Sequence, residues 1–190
     1  LQETFSALEK ARMPVLVAIQ GGCIGGAVDM VTAADMRYAT EDAFFCIQEI
    51  NIGMTADVGT LQRLPKLIPE GVCRELAYTG RRMPAAEAKA VGLVNEVFPD
   101  HETMLDAVQL VATEIASKSP LAIWGTKQMI NYTRDHSTAD SLDHIATWQA
   151  GMFVAADMKE SFESQAEARD SDFEDLFPFQ GGVGALTKDD

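Results

Sequence analysis

The sequence is poor in cysteine and in positive charge, and it has no long hydrophobic run. Cys23, Cys46 and Cys73 form an odd, widely spaced set without a CxxC pair. That set argues against a disulfide framework or a zinc knuckle and points to a reducing interior. No apolar stretch approaches the ~20 residues that a membrane-spanning helix needs. Lys and Arg number 15 against 29 Asp and Glu, for a net charge of -14. Non-specific nucleic-acid binding, which uses a basic stripe, is thereby disfavoured. A phosphate-bearing ligand in a local basic pocket stays compatible with that charge. The opening residues, LQETFSALEKARMPV, lack the basic head and apolar centre of a secretory signal, and the closing GALTKDD is not an SKL-type address. The default expectation is therefore a cytoplasmic protein, with a transit peptide ahead of Leu1 as the alternative.

What is present suits one substantial core in 190 residues, with 47% hydrophobic residues. The first residues read as the tail of an amphipathic helix, ended by Pro14, so the chain is expected to begin within a fold. Val15 to Ile19 is a short buried strand, followed by a corner at Gly21, Gly22, Gly25 and Gly26 and a helix from Ala27 to Ala34. Met36 to Thr40 and Phe44 to Gln48 read as strands around a Glu41-Asp42 turn. Gly53 to Gly59 is a loop, and helices follow over Thr60 to Leu67 and Glu70 to Tyr78, the second closed by Gly80. A short helix at Ala85 to Ala90 and a strand at Leu93 to Phe98 complete this part. From His101 the period is helical through 101–118, 120–134, 138–155 and 157–168, with a capping box at Ser137 and Asp140. The division expected is an α/β core over 1–100, a helical region over 101–168 and an acidic, mobile or partner-docked tail over 169–190.

Three carboxylates stand out: Asp29 in GGCIGGAVD, Glu49 in QEINIG and Asp57 in ADVGT. Each has apolar or small neighbours in sequence, where a solvated acid is not expected. A poorly hydrated carboxylate trades protons near neutrality, and a helix-start amide beside it stabilises an oxyanion. Together they suggest proton transfer at carbon next to a carbonyl. Plainer readings exist for each. Asp29 could answer a helix dipole, Glu49 could end a strand, and Asp57 could cap a helix. A dinucleotide fingerprint is excluded because Gln20 occupies the first glycine position of G-x-G-x-x-G. Cys23 and Cys46 read as small buried fillers. Arg63, Arg81 and Arg82 read as structural or rim charges, and Trp124, Trp148 and Phe153 as core or subunit interface. His136, Asp140 and His144 have a ligand-like spacing, but His136 precedes the capping Ser137, so no metal is expected there.

The strings PVLVAIQGGCIGGAVDMVTAADMRYAT, FFCIQEINIGMTADVGTLQRLPKLIP, AYTGRRMPAAEAKAVGLVNEVFP and SKSPLAIWGTKQMIN resemble, in the same order, the enoyl-CoA hydratase/isomerase (crotonase) superfamily. The resemblance covers about residues 5 to 168. Hydratases of that family usually have Glu at the place of Asp29 and a PGAGG-like loop at the place of Thr55 to Gly59. Asp29, Glu49 and Asp57 together are the pattern of its dienoyl-CoA isomerases. The resemblance implies a spiral of strand-strand-helix units followed by a helical trimerisation region. It also implies an oxyanion-hole amide at Gly26, an acyl-CoA thioester substrate and a homotrimer or hexamer. No resident cofactor, metal, nucleic acid or membrane is expected, because CoA belongs to the substrate.

The implied reaction converts a 3,5-diene to a 2,4-diene in fatty-acid β-oxidation, Asp57 taking the C2 proton and Glu49 giving one to C6. Asp29 would hold a partner protonated or position the diene. The family's N-terminal portion, with a second oxyanion amide, is expected to lie outside this chain. A hydratase or other crotonase reaction, and an inactive oligomerising remnant, are the alternative readings.

Overall fold

Each pass of the chain adds one strand to each of two small sheets and then leaves through a helix. A computed structural model describes residues 1–177. Helix α1 (Gln2–Lys10) stops before Pro14, with Ala11 already extended at φ -56 and ψ 139. The first unit is β1 (Leu16–Ile19), β2 (Gly22–Ile24) and α2 (Gly26–Thr32). The second is β3 (Met36–Thr40), β4 (Phe44–Cys46), a 3-10 turn at Glu49–Ile52, α3 (Thr60–Arg63) and α4 (Glu70–Thr79). β5 (Met83–Pro84), α5 (Ala85–Ala90) and β6 (Glu96–Phe98) follow.

β1, β3 and β6 form one parallel sheet, with Leu16 opposite Met36 and Tyr38 opposite Glu96. β2 pairs parallel to β4, and β5 joins β4 antiparallel. This is the α/β spiral expected from the sequence. β2 and the 3-10 turn were not expected: the former lies inside the glycine corner, the latter in a segment read as strand end. Strand β6 is also shorter than Leu93 to Phe98. Leu93 and Val94 are buried ahead of it, where Asn95 already donates its N–H to the Arg37 carbonyl.

Val28, Phe45, Leu64, Met83 and Leu93 meet in the core between the sheets and helices. Two cations are buried with them. The Arg37 guanidinium donates to the carbonyls of Val31, Ala34 and Leu93, so it closes the carbonyl end of α2. Burial draws its pKa below the usual arginine range. Lys127 donates to the Leu8 and Met13 carbonyls and, at 2.8 Å, to Asp35. Asp35 also accepts the Val15 N–H at 2.7 Å. One ion pair thus fastens the helical region to α1 and β1. Burial pushes the Cys23 thiol up to about 12, which makes it an inert filler.

Among the described residues four helices follow β6: α6 (His101–Ala116), α7 (Pro120–Thr133), α8 (Thr138–Met152) and α9 (Ala155–Glu167). Asp100 and Ser119 cap α6 and α7, and Ser137 with Asp140 forms the expected capping box on α8. Trp124 and Trp148 meet edge-to-face at 5.1 Å across the α7–α8 hairpin. In the tail, the Asp172 N–H donates to Glu160 and the Phe177 carbonyl accepts from Arg12 at 2.6 Å. The described tail residues therefore bond to this chain itself. Residues 178–190 of the expected mobile tail lie outside the described residues.

The Lys127–Asp35 pair has the Lys side chain 4% exposed. Lys127→Met leaves Asp35 with an uncompensated charge and two carbonyls without a donor. It is expected to lower unfolding free energy by about 3 kcal/mol in a urea titration.

Candidate active site

Helix α2 begins where the glycine corner lets the chain turn sharply. Gly25 has φ +57 and ψ -123, a backbone that favours glycine, and its N–H donates to the Cys46 carbonyl at 2.9 Å. That bond ties the start of α2 to the end of β4, immediately ahead of Glu49. A Cβ placed on Gly25 would stand 3.2 Å from Glu49 Oε1. The Glu49 carboxylate thus lies against the corner itself. Gly26 is the first residue of α2, where a backbone N–H has no intrahelical acceptor, and a Cβ there would meet nothing within 4 Å. The Gly26 amide and the Glu49 carboxylate therefore flank the same open corner.

Asp29 is one turn further along α2 and is 0% exposed. Its Oδ1 accepts the Thr60 N–H at 2.7 Å, and its Oδ2 has no partner. Thr60 opens α3, so Asp29 acts on that helix as a cap supplied from another helix. Asp57 lies three residues before Thr60 and is exposed in this chain. Its carbonyl accepts from Gln2 at 2.7 Å. The expectation of three acids in one poorly hydrated setting is met by Asp29, half met by Glu49 and not met by Asp57. Sequence neighbours misled here, because Ala56 turns inward while Asp57 turns out of the same loop.

A cavity of about 710 Å³ opens between α1, α3 and α7, with Asp57, Gly59, Arg63 and Arg134 in its wall. Glu49 and Gly26 are not part of that wall. Glu9 holds the two arginines of this wall, accepting from Arg134 at 2.6 Å and from Arg63 at 3.2 Å, while Lys10 and Lys66 of the same wall pair with Glu3 and Asp135. Arg63 also packs under Gly59, whose φ of +135 and missing side chain leave room for the guanidinium. Arg81 is structural, bridging Glu75 and Glu87 at 2.6 Å each. Arg82 stacks over the Phe44 ring at 4.3 Å.

Burial raises the Cys46 thiol, with the Arg82 charge opposing and the Glu49 charge adding to that shift. Among the described residues, no group of three or more His, Cys, Asp and Glu could hold a metal ion. His136 and His144 instead stack on Tyr132 at 3.6 and 4.0 Å. Among the described residues no helix is long and apolar enough to cross a membrane.

Two contacts of this arrangement were not read from the sequence. Gly25 was placed in the glycine corner, but not against Glu49. Thr60 receives Asp29, and no local signal joins residues 31 positions apart.

Residues 1–176 match the profile of the enoyl-CoA hydratase/isomerase family. A mitochondrial Δ(3,5)-Δ(2,4)-dienoyl-CoA isomerase of Pongo abelii is 51% identical over 170 residues, covering 89% of this chain and 52% of that protein. The peroxisomal protein of the same name from Arabidopsis thaliana is 43% identical, covering 93% of this chain and 63% of that protein. The chain spans about half the length of the mitochondrial relative. A crystal structure of an enoyl-CoA hydratase from Bacillus anthracis superposes with a TM-score of 0.84 at 31% identity, covering 90% of this chain and 66% of that one. With its two-sheet spiral and the profile match along nearly its whole length, this chain belongs to the enoyl-CoA hydratase/isomerase family.

Proposed function

We propose that this chain carries the isomerase chemistry of a 3,5-dienoyl-CoA thioester, moving its double bonds to the 2,4 position in fatty-acid β-oxidation. The observation that carries the reading is that Glu49 and Asp57 share one segment, residues 49–60, joined to α2 at both ends. At one end the Glu49 carboxylate abuts Gly25, and at the other Thr60 is held by Asp29. The relatives' name supports the choice of reaction within the family.

In this reading Asp57 removes the proton at C2, and the electrons pass into a dienolate with its charge on the thioester oxygen. The Gly26 N–H donates to that oxygen, an interaction whose loss elsewhere costs about 3 kcal/mol of transition-state stabilisation. Glu49, in its acid form, gives a proton to C6. One proton leaves and one enters, so no oxidant, metal or resident cofactor takes part. The acyl chain covers Asp57, which this chain by itself leaves exposed. Hydration of a 2-enoyl thioester is the second reading, favoured by the hydratase name of the superposed structure.

The exposed apolar residues of α8 and α9, among them Leu142 and Phe162, support a homotrimer or hexamer built on those helices. Sedimentation equilibrium is expected to give a trimer mass or twice that. A monomer at micromolar concentration removes the proposal. The mitochondrial and peroxisomal placement of the relatives favours an organelle over the cytoplasmic expectation.

The assay follows ultraviolet absorbance as a 3,5-dienoyl-CoA conjugates. Absorbance should rise with this chain, and Glu49→Gln and Asp57→Asn should each slow it by about 100-fold or more. Turnover of a 2-enoyl thioester without any such rise selects hydration. No turnover and no CoA-ester binding by calorimetry leaves a non-catalytic role. Gly25→Ala is expected to destabilise the fold by about 1–2 kcal/mol, because φ there is +57. It should also lower kcat by at least about tenfold, because the new methyl group presses on Glu49.

A further inference from the structure

We infer that Asp29 is a positioning residue: its buried carboxylate holds the start of α3, and through it the segment bearing Asp57, at a set distance from the Gly26 amide. The inference rests on the reading of Asp57 given above and assigns Asp29 a role different from proton transfer.

Three observations carry it. Asp29 is 0% exposed, so neither oxygen reaches solvent. Its Oδ1 is committed to the Thr60 N–H at 2.7 Å. Among the described residues no cation pairs with it, and its Oδ2 has no hydrogen-bond partner. A buried acid with one orphan oxygen is costly for a core to keep. What the site obtains from it is the acceptor at the other oxygen. A helix start with no side-chain cap of its own, as Gly59 cannot provide one, depends on an acceptor from elsewhere.

The geometry explains why that acceptor sits on α2. Gly26 and Asp29 are three residues apart in the first turn, so they are fixed relative to each other to within about 4.5 Å of helix rise. The Gly26 end of this turn faces Glu49, and the Asp29 end grips Thr60. Asp57 lies between Thr60 and the Gln2 contact to its own carbonyl, the latter made by an exposed side chain. Of these two side-chain bonds the one to Asp29 is buried. With it gone, residues 57–59 stay anchored by Ala56 in the core and by the α3 bonds to the Gly59 carbonyl but lose their fixed distance from α2. A shift of about 1 Å at a reacting group is enough to cost about 100-fold in rate.

The test compares wild type, Asp29→Ala and Asp29→Asn by amide hydrogen exchange of residues 55–63 and by turnover of a 3,5-dienoyl-CoA across pH. Asp29→Ala should speed exchange at Thr60 by about tenfold, the effect of one lost hydrogen bond. It should also lower kcat by about 100-fold, with a smaller change in KM. Asp29→Asn keeps an oxygen acceptor and gives up the charge and the proton. It should restore protection and bring kcat back to within about tenfold of wild type, with both limbs of the pH profile in place.

The inference is overturned if Asp29→Asn is as inactive as Asp29→Ala while its exchange is that of wild type. It is equally overturned if Asp29→Ala leaves Thr60 exchange unchanged. Should Asp29→Ala not fold, Asp29→Asn against wild type decides by the same two readouts. Should wild type turn over no dienoyl thioester, the proposed reaction fails alone, and exchange at Thr60 still decides whether Asp29 holds α3.

Discussion

The first turn of α2 is the constraint on which the site depends. Four residues there do four different things. Gly25 supplies a positive-φ corner that only glycine adopts freely, and it lets the Glu49 carboxylate approach to contact distance. Gly26 opens the helix with a backbone N–H that has no intrahelical acceptor, and a Cβ there would meet nothing within 4 Å. Val28 drives the opposite face into the core, and Asp29 reaches back to α3. The turn is held by burial on one side and by two hydrogen bonds, from Gly25 to Cys46 and from Thr60 to Asp29, on the other. The first turn of α2 is thereby a rigid element with polar groups fixed at both ends.

Buried polar groups elsewhere follow the same logic of joining distant segments. Arg37 gathers carbonyls from the end of α2 and from the approach to β6. Lys127 gathers two carbonyls and a carboxylate from the first part of the chain. Neither behaves as a surface ion. Both take up backbone acceptors that short strands and short helices leave unpaired, which a fold of two- to five-residue strands produces in number.

The two ends of the site face different surroundings. Glu49 stands at a glycine corner near two exposed apolar residues, Ile52 and Met54. Asp57 stands in the wall of a cavity whose two arginines are already bridged by Glu9. A half-buried acid at a glycine corner and an exposed acid at a cavity edge stand in unlike environments.

The amino-acid sequence by itself determined the core strands β1 and β3, the helices between them and β6, and the helices after His101, but not β2 or β5. Those features rest on local periodicity, on Pro14 and Gly80 as stops, and on Ser137 as a cap, all of which act within a few residues. It also carried the family resemblance, because the glycine corner and the three acids stand at fixed positions along one chain. Only the tertiary structure decided how buried each acid is and what each one touches. Burial is a property of what packs above a residue, and the Thr60 amide that receives Asp29 arrives from a separate helix. The strand β2 escaped notice for the same reason: its three residues pair only because β4 lies alongside.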